Sequence, residues 1–200
     1  MNLPNRLTVG RIVLVPVFVM ALLLPHFPGG KTVALLVFII ASLTDWCDGW
    51  LARRTDKVTG FGALLDPVAD KVLTTAAFIC FIEQDDQNGH ALVQAWMVLV
   101  IVARDFLVTG LRLVAREQGV VLQAERLGKH KTASQMVAII FTLAFLAARE
   151  DWHCLGIEPA RFNAEFSTAV FVLMLVTVAL TLWSGFSYFW KNRELFLRDV

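Results

Sequence analysis

Four aspartates, Asp45, Asp48, Asp66 and Asp70, stand on either side of a short polar connection between two apolar stretches of this 200-residue chain. The first two are three residues apart and the second two are four apart, so on helices each pair shares one face. Carboxylates are the hard oxygen donors that Mg²⁺ or Mn²⁺ takes. Two such cations polarise a diphosphate and stabilise both the entering and the leaving oxygen of a phosphoryl-type transfer. Gly49, Ala52 and Gly62 are small enough to let a ligand approach the helix backbone beside the acids. An ionised Asp at the bilayer centre costs about 2.5–3.5 kcal/mol, so four of them without compensation approach roughly 10–14 kcal/mol. Each aspartate taken alone is accounted for by helix capping or by pairing with Arg53, Arg54, Lys57 or Lys71. The joint spacing is what points to cations.

A second group of residues suits an anion. Arg104, Arg112, Arg116, Lys129 and Lys131 are candidates for holding a phosphate, with Thr132 adding a hydroxyl. Arg112 and Arg116 lie one helical turn apart, and Arg104 sits deeper in an apolar stretch, where a charge is costly and usually functional or paired. Its neighbour Asp105 is expected to face about 100° away around the helix. For Lys129, His130 and Lys131 there is a plainer reading as a basic loop drawn to anionic lipid, at about 1 kcal/mol per residue.

The elements that carry these groups follow from composition. Hydrophobic residues make up 57% of the chain and charged residues 18%, with a mean hydropathy of +0.64. That is too apolar for an ordinary soluble domain. Windows of about 20 apolar residues fall near 7–27, 31–51, 66–83, 91–114, 132–149 and 166–190, which predicts an all-α integral membrane protein of six transmembrane helices in one domain over 1–200. Leu24-Pro25-His26-Phe27-Pro28 offers no small-x-small cleavage site, so the first window is read as a permanent helix. Lys and Arg concentrate at the amino terminus, in the second and fourth connections and in the carboxyl tail, which predicts that both termini and the aspartate-flanked connection are cytoplasmic.

Other features are read plainly. Cys47, Cys80 and Cys154 have no C-x-x-C spacing and predict neither a zinc site nor a disulfide framework. Gly30-Lys31-Thr32 resembles the end of a P-loop, but Pro25 stands where the first glycine belongs. Asp85-Asp86 lacks calcium-loop spacing and is expected to be solvated, and the tryptophans near span ends read as interfacial anchors. Nothing indicates nucleic acid as a partner.

Asp45-Trp-Cys-Asp48-Gly49-Trp-Leu-Ala52-Arg53, followed after eight residues by Gly62, Asp66 and Asp70 at four-residue steps, matches every fixed position of the CDP-alcohol phosphotransferase signature. The chain resembles that family over nearly its whole length, weakening only between Arg149 and Glu165. Thr59 to Lys71, Pro4-Asn5-Arg-Leu-Thr8 with Arg11, Ala103-Arg104-Asp105 with Leu111-Arg112, and Gly128-Lys129-His130-Lys131-Thr132 are most like its bacterial branch that makes phosphatidylglycerophosphate. One departure is Asp105, where Glu is expected in many relatives.

The resemblance implies a homodimeric enzyme of the bacterial inner membrane with its active site on the cytoplasmic side. It would transfer a phosphatidyl group from CDP-diacylglycerol to glycerol 3-phosphate and release CMP. By matching position, Asp45, Asp48, Asp66 and Asp70 would hold two divalent cations, Asp70 would also take the proton of the attacking hydroxyl, and Gly49, Ala52, Arg53 and Gly62 would line the CDP site. Two alternatives stay open at this point. One is the same chemistry with another acceptor: phosphatidylglycerol, serine or inositol phosphate. The other is a divalent-cation transporter, against which stands the clustering of all four aspartates at one membrane face.

Overall fold

The computed structural model describes the backbone of residues 3–25, 27–52, 60–86, 89–117, 119, 126–151 and 159–193, and the side chains of 9–25, 27–44, 71–86, 89–115, 119, 127–151 and 163–193. Six helices run in order: α1 Leu3–Leu23, α2 Gly30–Ala52, α3 Gly60–Ile82, α4 Ala95–Glu117, α5 Arg126–Glu150 and α6 Pro159–Lys191. Each overlaps one of the six predicted windows. Among the described residues there is no β-strand, only an isolated bridge between Asp85 and Ala91 in the α3–α4 connection. Among the described residues, two segments, Leu127–Glu150 and Asn163–Lys191, are long and apolar enough by themselves to cross a membrane, and Val9–Leu23, Gly30–Thr44 and Lys71–Ile82 are shorter apolar stretches.

The helices pack through one continuous apolar core. Phe18 of α1 meets Phe38 of α2 with ring centroids 6.1 Å apart, and Phe166 of α6 stacks on Phe145 of α5 at 5.7 Å. Ala34, Ala41, Ala77 and Ala138 are fully buried at helix contacts, where small side chains let backbones approach closely. The outward faces are also apolar: Val13, Ile40, Leu99, Leu107 and Phe186 are all more than half exposed. Leu99, on α4, reaches 69% exposure. Helices that present such side chains outward, around a core just as apolar, suit lipid rather than water as their surroundings.

One end of the bundle is tied by polar contacts near the α1–α2 turn. Gly29 adopts a positive φ of 75°, and a Cβ on Gly30 would lie 2.5 Å from the Ala21 carbonyl oxygen, so the turn requires both glycines. Lys31 Nζ donates to the Leu22 carbonyl and to Gln84 Oε1, each at 2.7 Å, and lies 3.4 Å from Glu150 Oε2. Thr32 donates from its backbone N–H at 2.6 Å and its hydroxyl at 2.7 Å to Asp151 Oδ2, so a carboxylate just past α5 caps the first turn of α2. Gly30-Lys31-Thr32 is thus occupied as a structural knot and holds no phosphate cradle. This knot collects the end of α1, the start of α2 and the ends of α3 and α5. Consecutive helices therefore alternate in direction, and the residues with chemistry gather at the other end. Asp86 is less solvated than expected, since its Oδ1 accepts the His90 N–H at 2.9 Å within the α3–α4 connection.

Candidate active site

At that other end, Lys71 of α3, Arg104 and Arg112 of α4, and Lys129, Lys131 and Thr132 of α5 line one cavity of about 450 Å³. Among the described residues, five cations and no carboxylate line it, a charge balance that suits an anion. Five of the six residues expected to hold a phosphate are brought together here: Arg104, Arg112, Lys129, Lys131 and Thr132. The sixth, Arg116, belongs to α4, but its side chain lies outside the described residues. Lys71 and Thr109 line the same space and were not anticipated as part of it. Lys71 directly follows Asp70, and that adjacency was the available signal.

Crowding five cations costs repulsion, which the surrounding groups offset. Lys131 Nζ donates to both carboxylate oxygens of Asp105, with the Oδ2 contact at 2.6 Å, and Gln135 Nε2 donates to Oδ2 at 3.3 Å. All three residues are buried, with Lys131 only 3% exposed. Two expectations change here. Lys131 belongs to helix α5, which begins at Arg126, and points into the bundle; it is not part of a solvated basic loop. Asp105 does not turn fully away from Arg104, because the long guanidinium side chain folds back to bring Nη1 3.4 Å from Asp105 Oδ1. That contact is at the long limit, and the firmer hold on Arg104 is Nη2 donating to Ser184 Oγ at 2.7 Å. Arg112 lies over the Tyr188 ring, its guanidinium carbon 5.4 Å from the centroid. Thr132 donates its hydroxyl to the Gly128 carbonyl at 3.0 Å, so it must release that bond before donating to a ligand.

A second cavity of about 210 Å³ shares Lys71, Lys131 and Thr132 with the first and continues past Asp105 and Gln135 to Thr74, Ser42 of α2 and Arg11 of α1. Five helices thus contribute to one polar region. Ser42 precedes Asp45 by three residues and Lys71 follows Asp70, so this region adjoins the two helices that carry the aspartates.

Asp45, Asp48, Gly49 and Ala52 lie in the last turns of α2, and Gly62, Asp66 and Asp70 in the first turns of α3. Their side chains lie outside the described residues, as does Arg53 altogether. The helical backbone bears on whether divalent cations suit this set. Three- and four-residue spacings on helices put each carboxylate pair on one face, and all four donors are the hard oxygens that Mg²⁺ or Mn²⁺ takes. The residues fit. Among the described residues, no group of three or more His, Cys, Asp or Glu is placed to bind a metal ion.

An all-helical bundle with a cationic cavity at the end where the aspartate-bearing turns of α2 and α3 lie suits a transferase that handles anionic substrates. Comparison with known proteins makes that class specific. The family model described as CDP-alcohol phosphatidyltransferase matches residues 1–183, and the chain belongs to this family and is an enzyme. It is 40% identical to the CDP-diacylglycerol–glycerol-3-phosphate 3-phosphatidyltransferase of Bacillus subtilis (strain 168), over 96% of each chain. It is 35% identical to the protein of the same name from Pseudomonas fluorescens, over 94% of this chain and 88% of the relative. With the one from Haemophilus influenzae the identity is 33% over 94% and 91%.

Proposed function

We propose that this enzyme transfers a phosphatidyl group from CDP-diacylglycerol to glycerol 3-phosphate, giving phosphatidylglycerophosphate and CMP. The observation that carries the reading is the cavity of about 450 Å³ lined by Lys71, Arg104, Arg112, Lys129 and Lys131, which suits an acceptor that bears a phosphate; the relatives' names favour glycerol 3-phosphate over inositol phosphate. An acceptor with a phosphate dianion needs such a wall of donors, whereas a neutral alcohol does not. The relatives' names support the same reaction.

The aspartates of α2 and α3 hold the donor end. Asp45, Asp48, Asp66 and Asp70 are the metal ligands in this reading, and two bound Mg²⁺ or Mn²⁺ ions would supply charge neutralisation at the diphosphate. Gly49, Ala52, Arg53 and Gly62 line the CDP site, where small residues admit the nucleotide and Arg53 offsets phosphate charge. Asp70 accepts the proton of the acceptor hydroxyl as that oxygen forms its bond to the phosphatidyl phosphorus. The bond between that phosphorus and the bridging oxygen breaks, and CMP leaves with its electrons. Lys131 and the α4 arginines hold the acceptor phosphate so that its hydroxyl end faces the aspartates.

The chain works as one domain over 1–200, with all six helices spanning the bacterial inner membrane and both termini cytoplasmic. The basic residues of the polar end support that orientation, since Arg104, Arg112, Lys129 and Arg193 share it. The acyl chains of the donor stay in hydrocarbon while the nucleotide and the acceptor arrive from the cytosol. The working unit is a homodimer. Cysteine-accessibility labelling of residues in the two end loops of intact cells tests the orientation; labelling of the α1–α2 turn only after permeabilisation contradicts it.

A further inference from the structure

Among the described residues, helix α6 contributes none to the lining of the basic cavity, yet its inward face holds both α4 arginines that do line it. Ser184, 2% exposed, accepts from Arg104 Nη2 at 2.7 Å. Gly185 is next, and a Cβ there would lie 3.1 Å from Arg104 Cγ, so the stem of Arg104 runs against the bare backbone of α6. One turn on, the buried Tyr188 ring lies under Arg112 at 5.4 Å. The opposite face of the same turns carries exposed Trp183, Phe186 and Trp190. Ser184, Gly185 and Tyr188 of α6 thus all face two side chains of a neighbouring helix.

An arginine left alone samples many rotamers, and ordering it on a ligand costs affinity. We propose that Ser184, Gly185 and Tyr188 are positioning residues that hold Arg104 and Arg112 in place for the acceptor phosphate before it binds. The inference rests on the reading of the basic cavity as the acceptor site. Ser184 fixes one guanidinium by a hydrogen bond, Gly185 sets how closely its stem approaches α6, and Tyr188 supports the other by its ring face. The phenolic oxygen plays no part: it is buried and makes no hydrogen bond among the described residues.

The test is steady-state kinetics of the full-length protein in detergent micelles, with KM measured separately for glycerol 3-phosphate and for CDP-diacylglycerol. Tyr188→Leu raises the acceptor KM about two- to fivefold, the loss expected for an exposed cation–π contact, and leaves the donor KM and kcat near their starting values. Tyr188→Phe keeps the ring and keeps the parent kinetics. Ser184→Ala and Gly185→Ala, which remove or add little volume, shift the acceptor KM in the same direction and guard against a Leu variant that folds poorly. An unchanged acceptor KM in Tyr188→Leu and Ser184→Ala, equal rises in both KM values, or a Phe variant as impaired as the Leu variant overturns the proposal. Arg112→Ala separates the two readings. If it raises the acceptor KM while the α6 variants do not, the role of α6 alone falls; if it too leaves that KM unchanged, the cavity is not the acceptor site and the proposal falls with it.

Discussion

Lys131 of α5 and Asp105 of α4, 26 positions apart, form a buried ion pair at the junction of the two cavities, with Gln135 completing the carboxylate's bonds. The pair does two things. It joins the helices that carry the basic wall, and it offsets part of the charge behind an anion site.

Removing one partner should leave an uncompensated buried charge. Asp105→Ala is expected to destabilise the protein by about 3–5 kcal/mol, and a Asp105→Leu/Lys131→Met double variant to regain most of that while losing acceptor affinity. Thermal unfolding in detergent, read beside the acceptor KM, checks both halves. A double variant with full acceptor affinity would show the pair to be structural only.

Lys71 lines both cavities and directly follows Asp70, so in the proposed reaction it would serve both the donor and the acceptor. Lys71→Met is expected to raise the glycerol 3-phosphate KM by roughly tenfold or more, in line with losing a hydrogen bond to a charged group. Initial rates at varied acceptor and saturating donor measure it; an unchanged KM removes Lys71 from the site.

Asp70 is given two tasks, cation ligand and proton acceptor. Asp70→Asn is expected to cut kcat by about 10²–10⁴ while CDP still binds measurably, and a chelator is expected to abolish turnover of the parent protein until Mg²⁺ or Mn²⁺ is restored. Equilibrium nucleotide binding alongside the rate assay separates the tasks. Near-parent turnover in the Asn variant would exclude Asp70 as the obligatory base.

At the other end of the bundle, Asp151 accepts two bonds from Thr32. Asp151→Ala is expected to cost about 1–2 kcal/mol of stability through the lost cap, with both KM values unchanged because the site is at the far end. A shift in either KM would show that the two ends are coupled.

Much of this was legible from residue order. Six apolar windows predicted six helices, since helix-spanning lengths of apolar residues leave few other folds in lipid. Arg112 was noted for its place one helical turn from Arg116 and Arg104 because a cation in an apolar stretch needs a reason, and Arg104 and Arg112 do meet in one cavity. The same argument applied to Asp105 would have demanded a partner for it, and Lys131 would have been the natural one. Lys131 was instead assigned to a loop because hydropathy alone starts the fifth window at 132, whereas the helix begins at Arg126 and turns Lys131 inward. Ser184 and Tyr188 were out of reach: their role depends on which turn of α6 faces α4, and polar residues of that kind on an apolar helix carry no mark of their partner.

The central claim is the identity of the acceptor. Purified protein should be incubated with CDP-diacylglycerol, Mg²⁺ and, one at a time, labelled glycerol 3-phosphate, phosphatidylglycerol, serine and inositol phosphate, with lipid product and CMP both quantified. Phosphatidylglycerophosphate and an equal amount of CMP are expected with glycerol 3-phosphate, and little of either with the others. Turnover with one of the other acceptors but none with glycerol 3-phosphate would contradict it.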